Sequence, residues 1–352
     1  MLMVMILPPN QITELRDALE AAKRPLFFYD DDPDGLSSFL LLYRHANEGR
    51  GVLVKTTSTL TKPWVYKITE YNPDTVFVLD VPAIDQDFLD EAQVPVYWVD
   101  HHTPLDRTKV HYYNPHLVKK DVYIPTTRMA YEIVKDSVHA KRDLWIAAVG
   151  CVGDWYLPDF REELDAVYPG LLPARVKGPE DALFDSLAGQ LARIFSFLLK
   201  GKTSDVFKCV KVLTRIMHPD EILKQTTAQG KFIFNRFTDV NEKYQKLLAS
   251  ALKSKNKGVF FIFKYEEDQW SFTSELSNEL AHYHPKKVIL VCRERDGSYK
   301  CSFRTRDKPI LPALQKALEG IDGHGGGHDY ACGAVIKSED FERFVEKLKK
   351  EF

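Results

Sequence analysis

At 352 residues, with 44% hydrophobic and 28% charged residues, the chain has a globular composition and length enough for two domains. No apolar run approaches the roughly 18 residues that a membrane-spanning helix needs. The formal charge of −2 excludes a global attraction to nucleic acid, so any polyanion must be held by a local cluster of cations or by bound metal.

The opening MLMVMILPPN lacks the basic flank and small-residue cleavage site of a signal peptide, and is read as an N-terminal strand or packing arm. Four short, continuously apolar runs follow: RPLFFYD (24–30), GVLVKT (51–56), TVFVLD (75–80) and VPVYWVD (94–100). Continuous rather than alternating apolarity marks strands buried on both faces. GLSSFLLLYRHAN (35–47), TTRMAYEIVKDSV (126–138) and RDLWIAAVGCVGD (142–154) read as helices. The alternation predicts an α/β N-terminal domain with a parallel sheet over residues 1–180.

Residues 181–257 read as a helical bridge, and Lys243, Lys246, Lys253, Lys255 and Lys257 on its last segment read as a solvated face. A smaller C-terminal α/β domain with a mixed sheet is expected over 258–352, from GVFFIFKY (258–265), KKVILVCRE (286–294), SYKCSFRTR (298–306) and GAVIKS (333–338). The terminal SEDFERFVEKLKKEF carries acids in its first turn and lysines in its last, as the helix dipole prefers. The cysteines Cys151, Cys209, Cys292, Cys301 and Cys332 form no CxxC pair, which argues against a disulfide framework or a thiolate zinc site and suits a reducing cytosol.

Three of the apolar runs end in aspartate: PLFFYD leads into DDPDG, TVFVLD closes at Asp80, and VYWVD closes at Asp100 before His101 and His102. Ligands of an open parallel sheet bind outside the carboxyl ends of its strands, so these acids converge on one crevice. Crowded carboxylates repel or take up protons unless a cation joins them. An oxygen-rich set with one or two imidazoles suits manganese or magnesium better than zinc.

In DDDPDGLSS, Asp32 and Asp34 flank Pro33 and leave a rigid turn on one side, and Gly35 admits a tight entry into the next helix. The plain alternative is an acidic helix cap. Asp154 in GCVGDW follows a helix whose small residues allow close approach to the sheet; alone, it reads as a cap. Near the C-terminus, GHGGGHDYACGA sets Gly325, Gly326 and Gly327 to form an anion-binding nest beside His328, the alternative being a plain glycine hairpin. Upstream, Arg304 and Arg306 are expected on one face of a strand, where a guanidinium clamps phosphate.

With DDDPDG, VFVLD, VDHH and GCVGD in its first half and SFRT and GGGHDYACGA in its last part, the sequence resembles the DHH phosphoesterase superfamily in its RecJ-like branch. The likeness spans about residues 24 to 335, with no motif in the helical bridge. It implies a DHH catalytic domain, a C-terminal DHH-associated domain that binds substrate, and a site for two Mn2+ ions, with Mg2+ as the alternative. Asp32, Asp34, Asp80, His101 and Asp154 match the family's metal ligands, the position of Asp80 being the one that bridges the ions. His102 matches a histidine near the scissile phosphate, and Asp100 would orient the histidines. Arg304 and the loop around His328 match the phosphate-gripping part. Where pyrophosphatase relatives carry a histidine four residues before Asp32, this chain has Phe28, and Asp30 is the nearest substitute.

The activity implied is manganese-dependent 5′-to-3′ exonuclease or oligonuclease action on single-stranded DNA or RNA, chiefly short oligonucleotides. The alternatives are a nanoRNase/pAp phosphatase or cyclic-dinucleotide phosphodiesterase and, from another class, a non-catalytic replication scaffold. A homodimer and replication or repair partners are compatible with the resemblance; a membrane partner is not expected.

Overall fold

The computed structural model describes residues 6–55, 59–120, 122–254, 256, 258–266 and 270–352. The first five residues of the opening arm, the end of GVLVKT at Thr56, and Lys255 and Lys257 lie outside them. The chain divides into two compact units, Met1–Phe237 and Thr238–Phe352.

In the first unit the arm continues as buried Ile6 and Leu7 and enters a helix, Pro9–Ala21, that the apolar pattern did not announce. The strands are β1 (Pro25–Asp30), β2 (Arg50–Val54), β3 (Thr59–Leu60), β4 (Thr75–Leu79), β5 (Ala83–Ile84), β6 (Val96–Val99) and β7 (His111–Tyr113). Five of them form an all-parallel sheet in the order β2-β1-β4-β6-β7, while β3 and β5 pair separately. Both faces of β1 and β4 are buried, which is why these runs are apolar without alternation.

On one face Leu26, Phe28, Val76, Val78 and Trp98 join Ile68 and Phe88 in a core. On the other, register aligns Phe27, Phe77, Tyr97 and His111 in a ladder of stacked rings. Helix Pro33–Ala46 begins with Asp32 accepting from the Gly35 amide at 2.9 Å and ends with Asn47 in the left-handed region.

Helix Ala140–Gly153 is buried along nearly its whole length. Its small residues meet other helices rather than the sheet: a Cβ at Gly150 would lie 2.2 Å from Thr127 Oγ1 and 2.6 Å from Ser37 Cβ, and one at Gly153 would lie 2.6 Å from Pro33 Cβ. What they accommodate is the start of helix Pro33–Ala46, together with Thr127. Gly150→Ala is therefore expected to destabilise the protein by about 1–3 kcal/mol, the usual effect of overpacking, read as a lower urea midpoint at unchanged slope.

Helices Leu187–Leu198, Thr203–Leu213 and Pro219–Leu223 complete this unit, and helix Ala228–Lys253 contains the division between the two units.

The second unit carries β8 (Phe260–Glu266), β9 (Val288–Arg295), β10 (Ser298–Arg304), β11 (Gly323–His328) and β12 (Ala331–Lys337) in the order β11-β12-β10-β9-β8. Only β8 and β9 run parallel, so the sheet is mixed as expected. Asp296 and Gly297, both at positive φ, make the two-residue hairpin between β9 and β10. Phe303, Leu314, Ile336 and Phe344 lie at the centre of its core. All five cysteines are buried free thiols. No described helix is long and apolar enough to cross a membrane.

Candidate metal centre

Strand register builds the site. Tyr29 pairs with Leu79, Leu79 with Val99 and Val99 with Tyr113, so the next residues, Asp30, Asp80, Asp100 and Asn114, stand in one row at the carboxyl edge. The row is fixed by backbone bonds from Asp80 N to Val99 O at 2.9 Å and from Asp100 N to Tyr113 O at 3.1 Å. Asp80 has φ +63°, a left-handed conformation that Asp tolerates better than most residues and that recurs at functional sites. Gly35 brings the helix start against this edge, since a Cβ there would lie 2.7 Å from Asp30 N.

The carboxylates and imidazoles fall into three overlapping groups: Asp34, His101 and Asp154; Asp30, Asp32 and Asp80; and Asp80, His101 and His102. Within each group one ligand atom per residue lies within 4.8 Å of the others. His101 Nε2 is 3.3 Å from Asp80 Oδ1, 3.5 Å from Asp154 Oδ2 and 3.9 Å from Asp34 Oδ2. Asp80 is common to two groups, as is His101. Asp32 also caps its helix, so the plain and the chemical reading of that residue hold together. Asp154 ends helix Ala140–Gly153, where the dipole disfavours a carboxylate; capping does not account for it.

The electrostatics match a cation site. Burial, reinforced by the neighbouring acids, holds Asp30 and Asp80 well above the carboxylate range and raises Asp34. Burial likewise pushes Asp154 up to about 8, opposed by His101 and aided by Asp34 and Asp32. For His101, burial lowers the pKa, but Asp154, Asp34 and Asp100 outweigh it and raise it. His101 Nδ1 is buried without a hydrogen-bond partner among the described residues. Among the described residues His101 is the one basic group ion-paired with Asp34, Asp80 and Asp154, and hard oxygen donors plus one nitrogen fit a divalent Mn2+ or Mg2+. The donor set fits the group.

Asp100 is fully buried and turns toward His102: its Oδ1 lies 2.7 Å from His102 Nδ1, and its Oδ2 accepts from the His102 amide at 3.0 Å. It positions the second histidine. Phe28 is sealed in the core, edge-on to Trp64 and Phe88, so that strand position offers no ligand; Asp30 stands nearer the edge with Asp32 and Asp80.

Several supporting residues escaped the sequence reading. The amides of Thr126 and Thr127, which open a helix, donate to the two Asp34 oxygens at 2.8 and 2.6 Å, and Thr126 Oγ1 donates to Asp80 Oδ1 at 3.1 Å. Tyr123 donates to Asp154 Oδ2 at 2.7 Å and stands edge-on to His101.

Asn114 donates to His102 O and Tyr112 Oη, both at 2.9 Å, and its Oδ1 accepts from His116 N. Asn114→Ala is expected to cost about 1–2 kcal/mol by removing a helix cap and a buried donor. Asn114→Asp keeps the cap but sets a second carboxylate beside buried Asp100, and should cost more in the same urea titration.

In the second unit two expectations are corrected. Gly325, Gly326 and Gly327 do not form a nest, because they lie within β11 and pair with Ala334, Gly333 and Cys332 of β12. Their amide and carbonyl groups serve an extended hairpin, and the missing Cβ atoms permit its close pairing: at Gly325 a Cβ would lie 2.7 Å from Gly333 O. His328, exposed, ends this edge strand. Arg304 closes β10, but Arg306 lies beyond it and exposed, so strand alternation does not align the two. Arg304 gives Nε to Asn278 Oδ1 at 2.5 Å and Nη1 to Ser302 Oγ and Phe303 O, and burial pulls its pKa down to about 10.

Residues 270–352 match the DHHA1 domain. No curated protein matches the sequence. Among solved structures, RecJ from Thermus thermophilus in complex with Mn2+ is similar at 16% identity and a TM-score of 0.71, over 98% of this chain and 55% of that one. The chain thus spans about half the length of that RecJ. The DHH domain of a member of the s1p family of ribosomal proteins is similar at 16% identity and a TM-score of 0.67, over 97% of this chain and 90% of that one. A pGpG-specific phosphodiesterase from Vibrio is similar at 14% identity and a TM-score of 0.50, over 94% of this chain and 98% of that one. The terminal domain thus matches the DHHA1 family, and the fold of the chain is that of the RecJ and DHH-domain structures.

Proposed function

We propose that the protein is a metal-dependent phosphodiesterase acting on single-stranded or short nucleic acid, as a RecJ-like 5′-to-3′ exonuclease or oligonuclease. The observation that carries this reading is the three interlocking acid and imidazole groups at one sheet edge. Asp34, His101 and Asp154 would hold one Mn2+, Asp30 and Asp32 the other, with Asp80 shared and Mg2+ as the alternative ion. Bound divalent cations supply Lewis acidity toward a phosphoryl oxygen and lower the pKa of water.

The chain's own residues do the rest. Thr126 and Thr127 fix the Asp34 and Asp80 carboxylates, so no ligand must reorganise when charge develops at phosphorus. The Asp100–His102 pair holds a half-exposed imidazole beside Asp80, placed to donate or accept a proton at the phosphate. The division of labour, catalysis in residues 1–180 and substrate binding through Arg304, Arg306 and His328 in residues 258–352, is part of the same proposal.

A second reading is hydrolysis of a dinucleotide or pAp-like substrate, favoured by the likeness to nearly the entire Vibrio phosphodiesterase chain. Product analysis with Mn2+ on 5′-labelled DNA and RNA strands of increasing length, beside linear and cyclic dinucleotides and pAp, separates the two. Stepwise release of mononucleotides from the 5′ end of long strands supports the exonuclease; turnover confined to dinucleotides or pAp supports the second reading. No hydrolysis of any of them with Mn2+ or Mg2+ rejects both.

A further inference from the structure

We propose that a groove on the outer edge of the parallel sheet is a second nucleic-acid subsite, which takes a nucleotide of a single strand lying beyond the metal centre. The inference rests on the phosphoesterase reading and extends it. The groove holds about 550 Å3, within the range of pockets that enclose a small organic ligand. Its lining includes β2, an edge strand of the sheet, and residues of the helices Val65–Tyr71 and Thr203–Leu213.

Three cations, Arg50, Lys55 and Lys67, and four aromatic residues, Tyr29, Trp64, Tyr66 and Phe207, line this one space. Tyr66 and Phe207 are 56% and 54% exposed, unusual for such large rings, and they come from different helices. Scattered exposed rings need no explanation. Two that share a groove with three cations do. Trp64 is anchored edge-on against core residue Phe28 at 6.2 Å, so it is a fixed surface rather than a mobile one.

Sequence-tolerant binding of a single strand needs these two elements: aromatic faces on which bases stack, and cations along the phosphates. Lys67 Nζ lies 4.6 Å from the Tyr66 ring centre. Lys67 and Arg50 share a single carboxylate, Glu70, at 2.7 and 3.4 Å. These are exposed ion pairs of small net worth, so a phosphate can replace the carboxylate at little cost. Lys55 gives two N–H groups to the carbonyls of Leu199 and Gly201, each at 2.8 Å, leaving a third for a phosphate oxygen. An acidic peptide would satisfy the cations but does not present a planar base at each repeat of its charge, as a single strand does.

The position of the groove also matters. Tyr29 and Lys55 are part of its lining, and Asp30, next after Tyr29, pairs with Val54, next before Lys55. One end of the groove is therefore a residue away from the acid row, along the same sheet edge.

The test uses the full chain in a chelator, so that nothing is cut, and a fluorescein-labelled single strand of about 12 thymidines followed by anisotropy. The Tyr66→Ala/Phe207→Ala double variant should bind at least about tenfold more weakly, because each lost stack is worth roughly 1–3 kcal/mol. Lys67→Gln and Arg50→Gln should each reduce the slope of log affinity against log salt by about 0.7. All these positions are at the surface, and unchanged thermal melting excludes misfolding. Wild-type affinity and salt slope in the variants overturn the subsite, as does a wild-type chain that binds no strand or binds an acidic peptide equally well. Manganese-dependent hydrolysis of a small diester by the wild-type chain tests the underlying reading separately: if it is present while the variants bind normally, only the subsite fails.

Discussion

Asp80→Asn is expected to abolish metal-dependent hydrolysis while making the metal-free protein more stable. The substitution isolates charge. Asparagine tolerates the left-handed backbone found at φ +63° and keeps an oxygen to accept from Thr126 Oγ1. What it removes is the one carboxylate common to the Asp30–Asp32 and His101–His102 groups. Cation screening at a phosphoryl centre is worth several kcal/mol, so kcat should fall by at least about a thousandfold. Metal analysis after dialysis should show no more than one tightly held Mn2+ per chain.

The metal-free protein responds in the opposite direction. Asp80 is held far above the carboxylate range by burial first and then by Asp34, Asp32, Asp154 and Asp30. Ionising it inside that cluster works against folding, so the amide should raise unfolding free energy by roughly 1–3 kcal/mol in chelator near neutral pH. The opposed signs are the diagnostic result. A loss of both activity and apo stability would mean that Asp80 is a structural residue; a gain in stability with full activity would remove it from the metal centre.

How much of this was legible in the sequence depends on whether the signal was local. Asp30, Asp80 and Asp100 could be found because each ends its own apolar run, and a parallel sheet carries such ends to one edge whatever the exact register. Asn114 belongs to the same row but follows HYY, three residues with a polar first member, too short for a strand signal until pairing with β6 is seen. Thr126 and Thr127 opened a helix that was predicted, yet only tertiary packing turns their amides toward Asp34.

The glycine run misled for a related reason. Its composition permits a nest, and it is the pairing with β12, a partner set by that strand's own alternation, that selects the extended form. Helix Pro9–Ala21 was hidden behind the apolar opening arm, although Pro9 stands at the first helical position, where proline suits a helix start.

The metal-free protein is expected to lose stability as pH rises, and Mn2+ is expected to restore it most at the alkaline end. Asp154 is pushed up to about 8, and Asp30, Asp34 and Asp80 are raised as well, in each case with burial as the largest cause. Between the ordinary carboxylate range near pH 4 and the raised folded values, the native chain therefore binds more protons than the unfolded one. Stability is then greatest at the acidic end of that window and falls as pH climbs through the folded values, by about 1.4 kcal/mol per pH unit for each excess proton. His101, also raised, contributes in the same direction, since its favourable charge is lost as pH rises through its folded value.

A divalent cation competes with those protons for the same oxygens, so its affinity must increase with pH. Melting in chelator should give a lower Tm at about pH 8.5 than at about pH 5.5, and Mn2+ should shift Tm more at the higher pH. In Asp80→Asn both the pH slope and the Mn2+ shift should shrink together, because one group supplies part of each. A Tm in chelator that rises across this range, or a Mn2+ shift independent of pH, would show that the buried acids are neutralised by something other than protons and metal.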